Sequence, residues 1–347
     1  MDTTSQDARS RQLDASAASR RSRELLERSL VWDMTLPGMF SGLNEVQALH
    51  RYHSAGFGFV SVTIGNDSVW NPKVVLERLA KVRSEVARES DRFRVVQNAS
   101  EILQARAEDK LAIAFHLQGT NGLGGDIAWA EKFFHLGITH MLLAYNARNA
   151  VADGCAESTD AGLSRFGKSL VREMNRLGML VDGSHTGYRS TMEAMEISTR
   201  PFIFSHANAS KLFDHYRNVR DDQIIACAKT GGVIGINGVG AFLSDSGDAS
   251  AELIYRHIDY MANLAGPAHV GLGLDFITEV AKFAARAANS ADSWPSIAGK
   301  VPRFDHFAPP EIIGPLTERL CRGGYSDSDI EGIVGKNFLR VFQDCVG

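Results

Sequence analysis

From residue 30 onward the sequence alternates short apolar runs with amphipathic stretches. Eight apolar runs resemble buried strands: LVWDMTL (30–36), GFVSVTI (58–64), LAIAFHL (111–117), THMLLAY (139–145), GMLVDGSH (178–185), PFIFSH (201–206), GGVIGIN (231–237) and HVGLGLD (269–275). Four intervening stretches have apolar residues at helical spacing: DIAWAEKFFHLG, GKSLVREMNRLG, YRSTMEAMEIS and DDQIIACAKTG. Apolar strands joined by helices indicate a parallel sheet covered on both faces, so eight such units predict an α/β fold, the (β/α)8 TIM barrel of amidohydrolase type. A doubly wound open sheet is the alternative.

The chain has 347 residues, a length that suits one barrel domain. We assign residues 29–347 to this domain and residues 1–28 to a polar N-terminal arm or helix. The chain should end in a helix that packs on the barrel. After the eighth strand, residues 278–312 form a long loop, and long loops in compact domains are often functional. We expect this loop to act as a lid over the site, with Trp294, Phe304 or His306 lining the pocket.

Composition narrows the class of protein. Hydrophobic residues make up 44% and charged residues 22%, with a net charge of -4, as in an ordinary globular protein without a nucleic-acid partner. The apolar runs are shorter than the roughly 20 residues that cross a bilayer. The N-terminal stretch lacks the apolar core of a secretory signal, and the four cysteines form no C-x-x-C pair. We therefore expect a cytoplasmic protein with reduced thiols and no membrane association.

Polar residues gather where the predicted strands end, which is where barrel enzymes build their active sites. They are Asp33, Thr35, His116, Gln118, Tyr145, Asn146, Asp182, His185, His206, Asn237 and Asp275. Each of them taken alone could be a hydrogen-bonded structural residue. His185 and His206 follow successive strands in the same Ser-His context, which favours a metal-binding or catalytic role for the pair. Asn146 and Asn237 are candidate substrate contacts.

Several segments resemble the renal (membrane) dipeptidase family, metallopeptidase family M19. They are GLSRFGKSLVREMNRLGMLVDGSH, FSHANASKLFDHYRNVRDD, GGVIGIN, HVGLGLDF and LCRGGYSDSDIEGIVGKNFLRVF. The resemblance implies that His185 and His206 bind the second of two zinc ions. It also implies that Arg217 takes the substrate carboxylate, that Asp275 handles the proton, and that the protein is a homodimer. For Arg217, the alternative is a surface ion pair with Asp214, Asp221 or Asp222.

The sequence departs from this family at the other metal ligands. Where the family has a His-x-Asp pair, this chain has Asp33 and Thr35, and Gln118 replaces the bridging glutamate. Tyr145 replaces a histidine that polarises the scissile carbonyl, and its hydroxyl can still donate to an oxyanion. Two divalent ions need anionic ligands around them, so we expect one metal or none. A single zinc would be held by His185, His206 and a third group, for which Asp275, Asp33 and Gln118 are candidates.

These observations favour a metal-dependent hydrolase that cleaves an amide bond in a small, dipeptide-like substrate with a carboxylate. Asp275 and Tyr145 are its candidate catalytic residues. Arg217 is the main candidate for substrate binding, because its planar fork matches a carboxylate. The alternatives are a lyase or decarboxylase acting on a small acid, since a fold does not fix a reaction, and a metal-free binding protein.

Overall fold

The computed structural model describes residues 17–39, 42, 44–290, 294–295 and 303–347. Its strands are β1 (Val31–Leu36), β2 (Phe57–Asn66), β3 (Phe93–Val95), β4 (Leu111–Gln118), β5 (Ile138–Leu142), β6 (Leu180–Asp182), β7 (Phe202–Phe204), β8 (Val233–Asn237) and β9 (Val270–Gly273). Its helices are α1 (17–28), α2 (Val46–Ser54), α3 (Pro72–Ala87), α4 (Ala99–Ala107), α5 (Ala128–His135), α6 (Arg165–Leu177), α7 (Tyr188–Ile197), α8 (Asp221–Lys229), α9 (Ala251–Ala265), α10 (Val280–Ala288), α11 (Ile313–Arg322), α12 (Asp327–Glu331) and α13 (Asn337–Cys345).

The strands form one parallel sheet in the order β1-β2-β4-β5-β6-β7-β8-β9, with β3 paired to β4. The sheet curls until β9 lies beside β1. There the Asp275 N–H donates to the Thr35 carbonyl at 3.2 Å, and the Leu274 N–H donates to Asp33 Oδ1 at 3.0 Å. The predicted (β/α)8 barrel is therefore confirmed, as a nearly closed barrel of eight strands with helices around it.

Local sequence explains where helices begin and end. The Ser164 side chain accepts a hydrogen bond from the Gly167 N–H and so caps the start of α6, and Gly178, with a φ of 84°, ends it. Between these ends, Leu170, Val171 and Met174 share the buried face of the helix. None of the helices in the described part of the chain is long and apolar enough to span a membrane.

The N-terminal end of the barrel is filled by aromatic side chains from both ends of the domain. Trp32 of β1 stacks on Phe59 of β2, with ring centroids 3.6 Å apart, and meets Phe342 of α13 at 5.7 Å. Trp32, Phe59 and Phe342 are fully buried. The C-terminal helix thus closes one end of the barrel, which leaves the opposite end, where the strands terminate, for chemistry.

Residues 1–16 of the predicted N-terminal arm lie outside the described residues, and the rest of the arm is the helix α1. Arg21 and Arg28 of α1 form ion pairs with Asp327, and Arg28 also pairs with Glu331. Leu25 buries its side chain in the core. This helix therefore packs against α12, near the other end of the chain.

Candidate active site

The two histidines singled out in the sequence face each other. His185 and His206 are buried, and their Nε2 atoms lie 2.9 Å apart. The Nδ1 atom of His185 lies 2.6 Å from Asn146 Oδ1, and that of His206 lies 2.7 Å from Ser205 Oγ and 3.1 Å from Thr35 Oγ1. Because these oxygens can accept ring hydrogens at both Nδ1 atoms, both Nε2 lone pairs can point at one shared cation.

Electrostatics keep this histidine pair neutral. Burial first, and then the nearby Arg217 guanidinium, hold the pKa of both imidazoles well below the usual value. Neutral imidazole is the form that binds metal ions. The pair is therefore in the correct protonation state for a metal at neutral pH.

The backbone conformation at this site is also unusual. Asn146, His185 and Asp275 have φ angles of 59°, 64° and 57°, in the left-handed region that residues other than glycine seldom adopt. All three follow strand ends. Such strain persists where the surrounding structure imposes it, and it concentrates at functional sites.

Two glycines allow the end of β7 to reach the barrel centre. A Cβ atom on Gly235 of β8 would lie 2.1 Å from the Ser205 carbonyl oxygen, and one on Gly273 of β9 would lie 1.8 Å from it. Any side chain at either position would push this backbone away. The glycines in GGVIGIN and HVGLGLD are thus required for the position of His206.

Asp275 lies at the end of β9 and lines the larger of two cavities. Asn237 donates to its Oδ2 atom at 3.3 Å, while Asn237 Oδ1 accepts from the Val239 N–H at 2.6 Å. Burial raises the pKa of Asp275 to about 6, against the opposing effects of Arg217 and Asn237. A carboxyl group with this pKa can both take up and release a proton near neutral pH.

Tyr145 stacks on His185, with ring centroids 4.1 Å apart and an angle of 19° between the rings. It also lines the larger cavity. Burial raises the pKa of its hydroxyl, so the group stays protonated and can donate a hydrogen bond. Asn146, by contrast, is fully buried, and its described contacts are with His185 and with the Cys155 thiol.

Arg217 is 3% exposed and carries no salt bridge to any described residue. Its Nη2 donates to the His206 carbonyl at 3.3 Å, and its Nε has no hydrogen-bond partner in the described part of the chain. The surface-pair alternative is therefore wrong, because Asp221 and Asp222 instead accept from the hydroxyls of Tyr260 and Tyr188. A buried guanidinium without a salt bridge is costly, and an anionic ligand would offset that cost.

Asp33 and Gln118, two of the candidates for a third metal ligand, have different surroundings. The Asp33 carboxylate accepts from the Tyr52 hydroxyl at 2.6 Å and from the N–H groups of Thr35 and Leu274, each at 3.0 Å. These bonds turn it towards α2 and make it part of the β1–β9 junction. Gln118 lines the larger cavity, and its Nε2 has no partner among the described residues.

The facing nitrogens of the histidine pair could both be ligands of one metal ion. Two nitrogens on one tetrahedral zinc ion with Zn–N bonds of about 2.0 Å lie about 3.3 Å apart, which is slightly more than the 2.9 Å between the Nε2 atoms here. Within the described ranges, no group of three or more His, Cys, Asp and Glu side chains is placed to hold a metal. The described residues therefore offer the two imidazole nitrogens as metal ligands, with no third His, Cys, Asp or Glu side chain placed beside them.

Another strand-end histidine is structural. The ring nitrogens of His116 lie 2.9 Å from Ser61 Oγ and 2.8 Å from Thr63 Oγ1, and the ring stacks on His140 at 4.3 Å. Burial lowers the pKa of His116 to about 3. The Asp182 carboxylate accepts from the N–H groups of Ser184 and Ser205, which holds the ends of β6 and β7 together.

Two cavities meet at the stacked pair of His185 and Tyr145. The larger, about 780 Å³, is lined by Tyr145 and by aromatic residues, among them Phe242, Phe283, Trp294, Phe304 and Phe307. The smaller, about 290 Å³, is lined by His185 and Arg217. Both cavities open at the end of the barrel where the strands terminate.

The lid-like segment supplies much of the larger cavity. It contains α10, and its residues Phe283, Trp294, Phe304 and Phe307 line the cavity, while residues 291–293 and 296–302 lie outside the described residues. Of the three residues predicted to contribute, Trp294 and Phe304 do so. The His306 carbonyl accepts a hydrogen bond from the Gly240 N–H at 3.0 Å.

Sequence reasoning missed several residues of the site. Asp67 lines the larger cavity and accepts from the N–H groups of Asn121 and Tyr145, each at 2.9 Å. It follows β2, so the rule that collected the other strand-end polar residues would have found it. Phe242, His215 and Tyr216 also line cavities, but no periodic pattern marks them.

An eight-stranded parallel barrel with a facing imidazole pair, a buried carboxyl group and a buried guanidinium at its strand ends has the architecture of an amidohydrolase-type barrel. A structure described as an amidohydrolase from Pseudomonas aeruginosa superposes with a TM-score of 0.83 at 25% identity, over 93% of this chain and 98% of that one. The sequence model of the membrane dipeptidase family (Peptidase family M19) matches residues 42–289. The chain therefore belongs to this family, which confirms the resemblance found in its motifs.

Two relatives from Schizosaccharomyces pombe are each described as an uncharacterized dipeptidase. One is 34% identical over 231 residues, which cover 65% of this chain and 51% of the relative. The other is 31% identical over 275 residues, which cover 77% and 61%. This chain thus spans only about half to three fifths of the curated relatives that it matches.

Proposed function

We propose that this protein hydrolyses an amide bond in a small, dipeptide-like substrate that carries a free carboxylate. The observation that supports this most directly is the Arg217 guanidinium, which is buried, forms no salt bridge with any described residue and contacts the carbonyl of His206. A substrate carboxylate would form such a salt bridge and would place the rest of the molecule beside the histidine pair.

One divalent ion, for which we propose zinc, would be held by His185 and His206. Imidazole ligands suit zinc, and a bound ion would lower the pKa of a water molecule and polarise the scissile carbonyl. Gln118 stays the candidate for a third, neutral contact through its amide oxygen, since it lines the larger cavity beside the site. We exclude Asp33 from the proposed ligands because three hydrogen bonds already hold its carboxylate.

Asp275 would transfer the proton during hydrolysis, and Tyr145 would stabilise the negative charge that develops. Asp275 would accept a proton from the attacking water at a carboxylate oxygen and donate it to the departing amine nitrogen. The Tyr145 hydroxyl would donate to the oxygen of the scissile carbonyl as charge builds there. Asn237 and Asn146, first considered as substrate contacts, would instead orient Asp275 and His185.

The larger cavity would hold the remainder of the substrate beneath the lid segment. The aromatic wall of this cavity favours a substrate with a bulky apolar group, because contact between the two removes apolar surface from water. Trp294 connects this wall to the histidine pair, with its ring centroid 6.0 Å from that of Tyr145 and 6.1 Å from that of His185.

A lyase or decarboxylase acting on a small acid is the second candidate. It is supported by the neutral Gln118 and the occupied Asp33, which leave fewer anionic ligands than a two-metal hydrolase needs. A metal-free binding protein is the third. Release of free amino acids from a dipeptide panel, followed by chromatography, would separate the first candidate from the other two.

The purified protein should contain at most about one tightly bound divalent ion per chain. The reason is that Asp33, Thr35 and Gln118 stand where the family has anionic and imidazole ligands. Inductively coupled plasma mass spectrometry of protein dialysed after loading with zinc would measure the ratio. Two ions per chain at full occupancy would contradict the single-ion proposal.

Arg217→Lys should lower kcat/KM for an acid substrate by about tenfold to a hundredfold. Lysine keeps the charge but loses the two-pronged geometry, and a charge-assisted hydrogen bond contributes about 1.5–3 kcal/mol. The measurement compares a free-acid dipeptide with its amide. A matched control is Arg176→Lys, which should leave kcat/KM unchanged, since Arg176 is exposed, pairs with Glu131 and Glu173, and lines neither cavity. Equal turnover of both substrates by the wild type and by Arg217→Lys would contradict the carboxylate role.

A homodimer and a cytoplasmic location are further proposals. The first rests on family resemblance, and light scattering on the purified full chain would test it. The second rests on the four unpaired cysteines, which suit a reducing compartment.

A further inference from the structure

The smaller cavity contains three buried polar groups without hydrogen-bond partners in the described residues. They are Nε of Arg217, Nε2 of His215 and the hydroxyl of Tyr216, and all three residues line this cavity of about 290 Å³. Buried polar groups are normally hydrogen-bonded. Three such groups around one cavity indicate a ligand with acceptor atoms.

The hydrogen-bond network fixes what His215 presents to the cavity. Its Nδ1 accepts from the Arg217 N–H at 3.1 Å, so in the neutral ring the hydrogen is on Nε2. Burial, together with the Arg217 charge, lowers the pKa of His215 to about 3, which keeps the ring neutral. His215 therefore offers an N–H donor at Nε2.

The other two groups are donors as well. Arg217 Nε always carries a hydrogen, and burial raises the pKa of the Tyr216 hydroxyl, so that it stays protonated. Since residues 215–217 are consecutive, one segment between β7 and α8 supplies all three donors. His185 lines the same cavity and brings the histidine pair next to them.

Acidic residues limit the charge that this cavity accepts. Glu157, Asp160 and Asp214 line it together with Arg217 and Arg220, so three acidic side chains face two basic ones. A ligand with two negative charges would be repelled by these carboxylates, whereas a single carboxylate can bind at the wall of donors.

We propose that His215 and Tyr216 are specificity-determining residues, each donating a hydrogen bond to the carboxylate that Arg217 would bind, and that with Arg217 they select a singly charged acid in the smaller cavity. This inference rests on the proposed function and adds two specificity-determining residues to it. The amide bond would then lie at the stacked rings of His185 and Tyr145, with the apolar part of the substrate in the larger cavity.

Tyr216→Phe tests this subsite without any need for turnover. Thermal shift and calorimetric titration on the full chain as purified would compare N-acetyl-L-alanine, its amide, and inorganic phosphate. The wild type should bind the acid more tightly than the amide or phosphate. Tyr216→Phe should bind the acid about tenfold more weakly and the amide unchanged. Its Tm without ligand should not fall, because the lost hydroxyl has no described partner.

Tyr260→Phe is the matched control, since the Tyr260 hydroxyl donates to Asp221 at 2.9 Å, outside the cavity. It should bind the acid as the wild type does, with an unchanged or slightly lower Tm. Unchanged acid binding by Tyr216→Phe, a lower Tm in that variant, or tighter binding of phosphate than of the acid by the wild type would overturn the proposal. If selective acid binding occurs but no dipeptide is cleaved, the proposed function fails while the carboxylate subsite stands.

Discussion

His185→Ala or His206→Ala should yield a folded protein that retains no divalent ion and has lost amide hydrolysis. The two Nε2 atoms face each other at 2.9 Å, so removing either ring leaves one imidazole, which is too few to hold an ion. A metal contributes several kcal/mol to the stabilisation of a transition state, so the loss should be roughly a thousandfold or more. Metal analysis and a dipeptide assay on each variant would measure both effects.

His53→Ala is the control for these variants. His53 lies on α2 and its Nε2 contacts the Asp109 carbonyl at 3.0 Å, away from the site. We expect metal content and activity to be unchanged in this variant. If both strand-end variants kept a full equivalent of metal, the facing histidines would be structural residues and the ion would be elsewhere.

Asp275→Asn should lower kcat by about a hundredfold to ten thousandfold, the usual range for a lost general acid–base group. Asparagine is the informative replacement because it tolerates the left-handed backbone at this position and can still accept from Asn237. Burial penalises the charged carboxylate, so the neutral amide should not lower the free energy of unfolding. Steady-state kinetics and thermal unfolding would give both values.

The Asp275 carboxyl group should also make the activity depend on pH. The carboxylate must be ionised to accept a proton, and its pKa is raised to about 6, so wild-type kcat/KM should fall as the pH drops below about 6. The residual activity of Asp275→Asn should lack this acidic limb. Asp109→Asn is a matched control, because Asp109 is exposed and has a φ of 55°. An acidic limb that persists in Asp275→Asn would assign the titration to another group.

The fold could be predicted largely because the strands of a parallel barrel are buried on both faces. Each of the eight predicted runs overlaps an observed strand, and the four quoted amphipathic stretches correspond to α5, α6, α7 and α8. The missed strand, β3, has three residues and pairs only with β4. A segment that short leaves no periodic signal that distinguishes it from a loop.

The site was less predictable because spacing does not show which way a side chain faces. Neighbouring residues of a strand point to opposite sides, so Trp32 and Met34 fill the barrel interior while Asp33 turns towards Tyr52. The register of β1 against β2 then shifts between Asp33 and Leu36, which lets Thr35 reach His206. Neither the direction of Asp33 nor this irregularity could be derived from the order of residues.

The aromatic wall was only partly predictable for a different reason. Phe242 follows β8, whereas Phe283 and Phe304 lie on either side of Trp294 in the lid-like segment, and Phe242 and Phe304 have ring centroids 5.9 Å apart. Contacts between distant segments depend on how the loops fold back over the barrel. In the sequence, only the length of the lid-like segment, residues 278–312, indicated that it lies over the site.

The left-handed backbone at Asn146, His185 and Asp275 separates the requirements of folding from those of function. Glycine adopts this conformation without strain, so a chain under pressure for stability alone could place glycine at all three positions. His185→Gly would relax the local backbone and would also remove a ring from the facing pair. These three positions therefore keep a strained backbone because of the side chains that the site needs, and not because the fold requires those side chains.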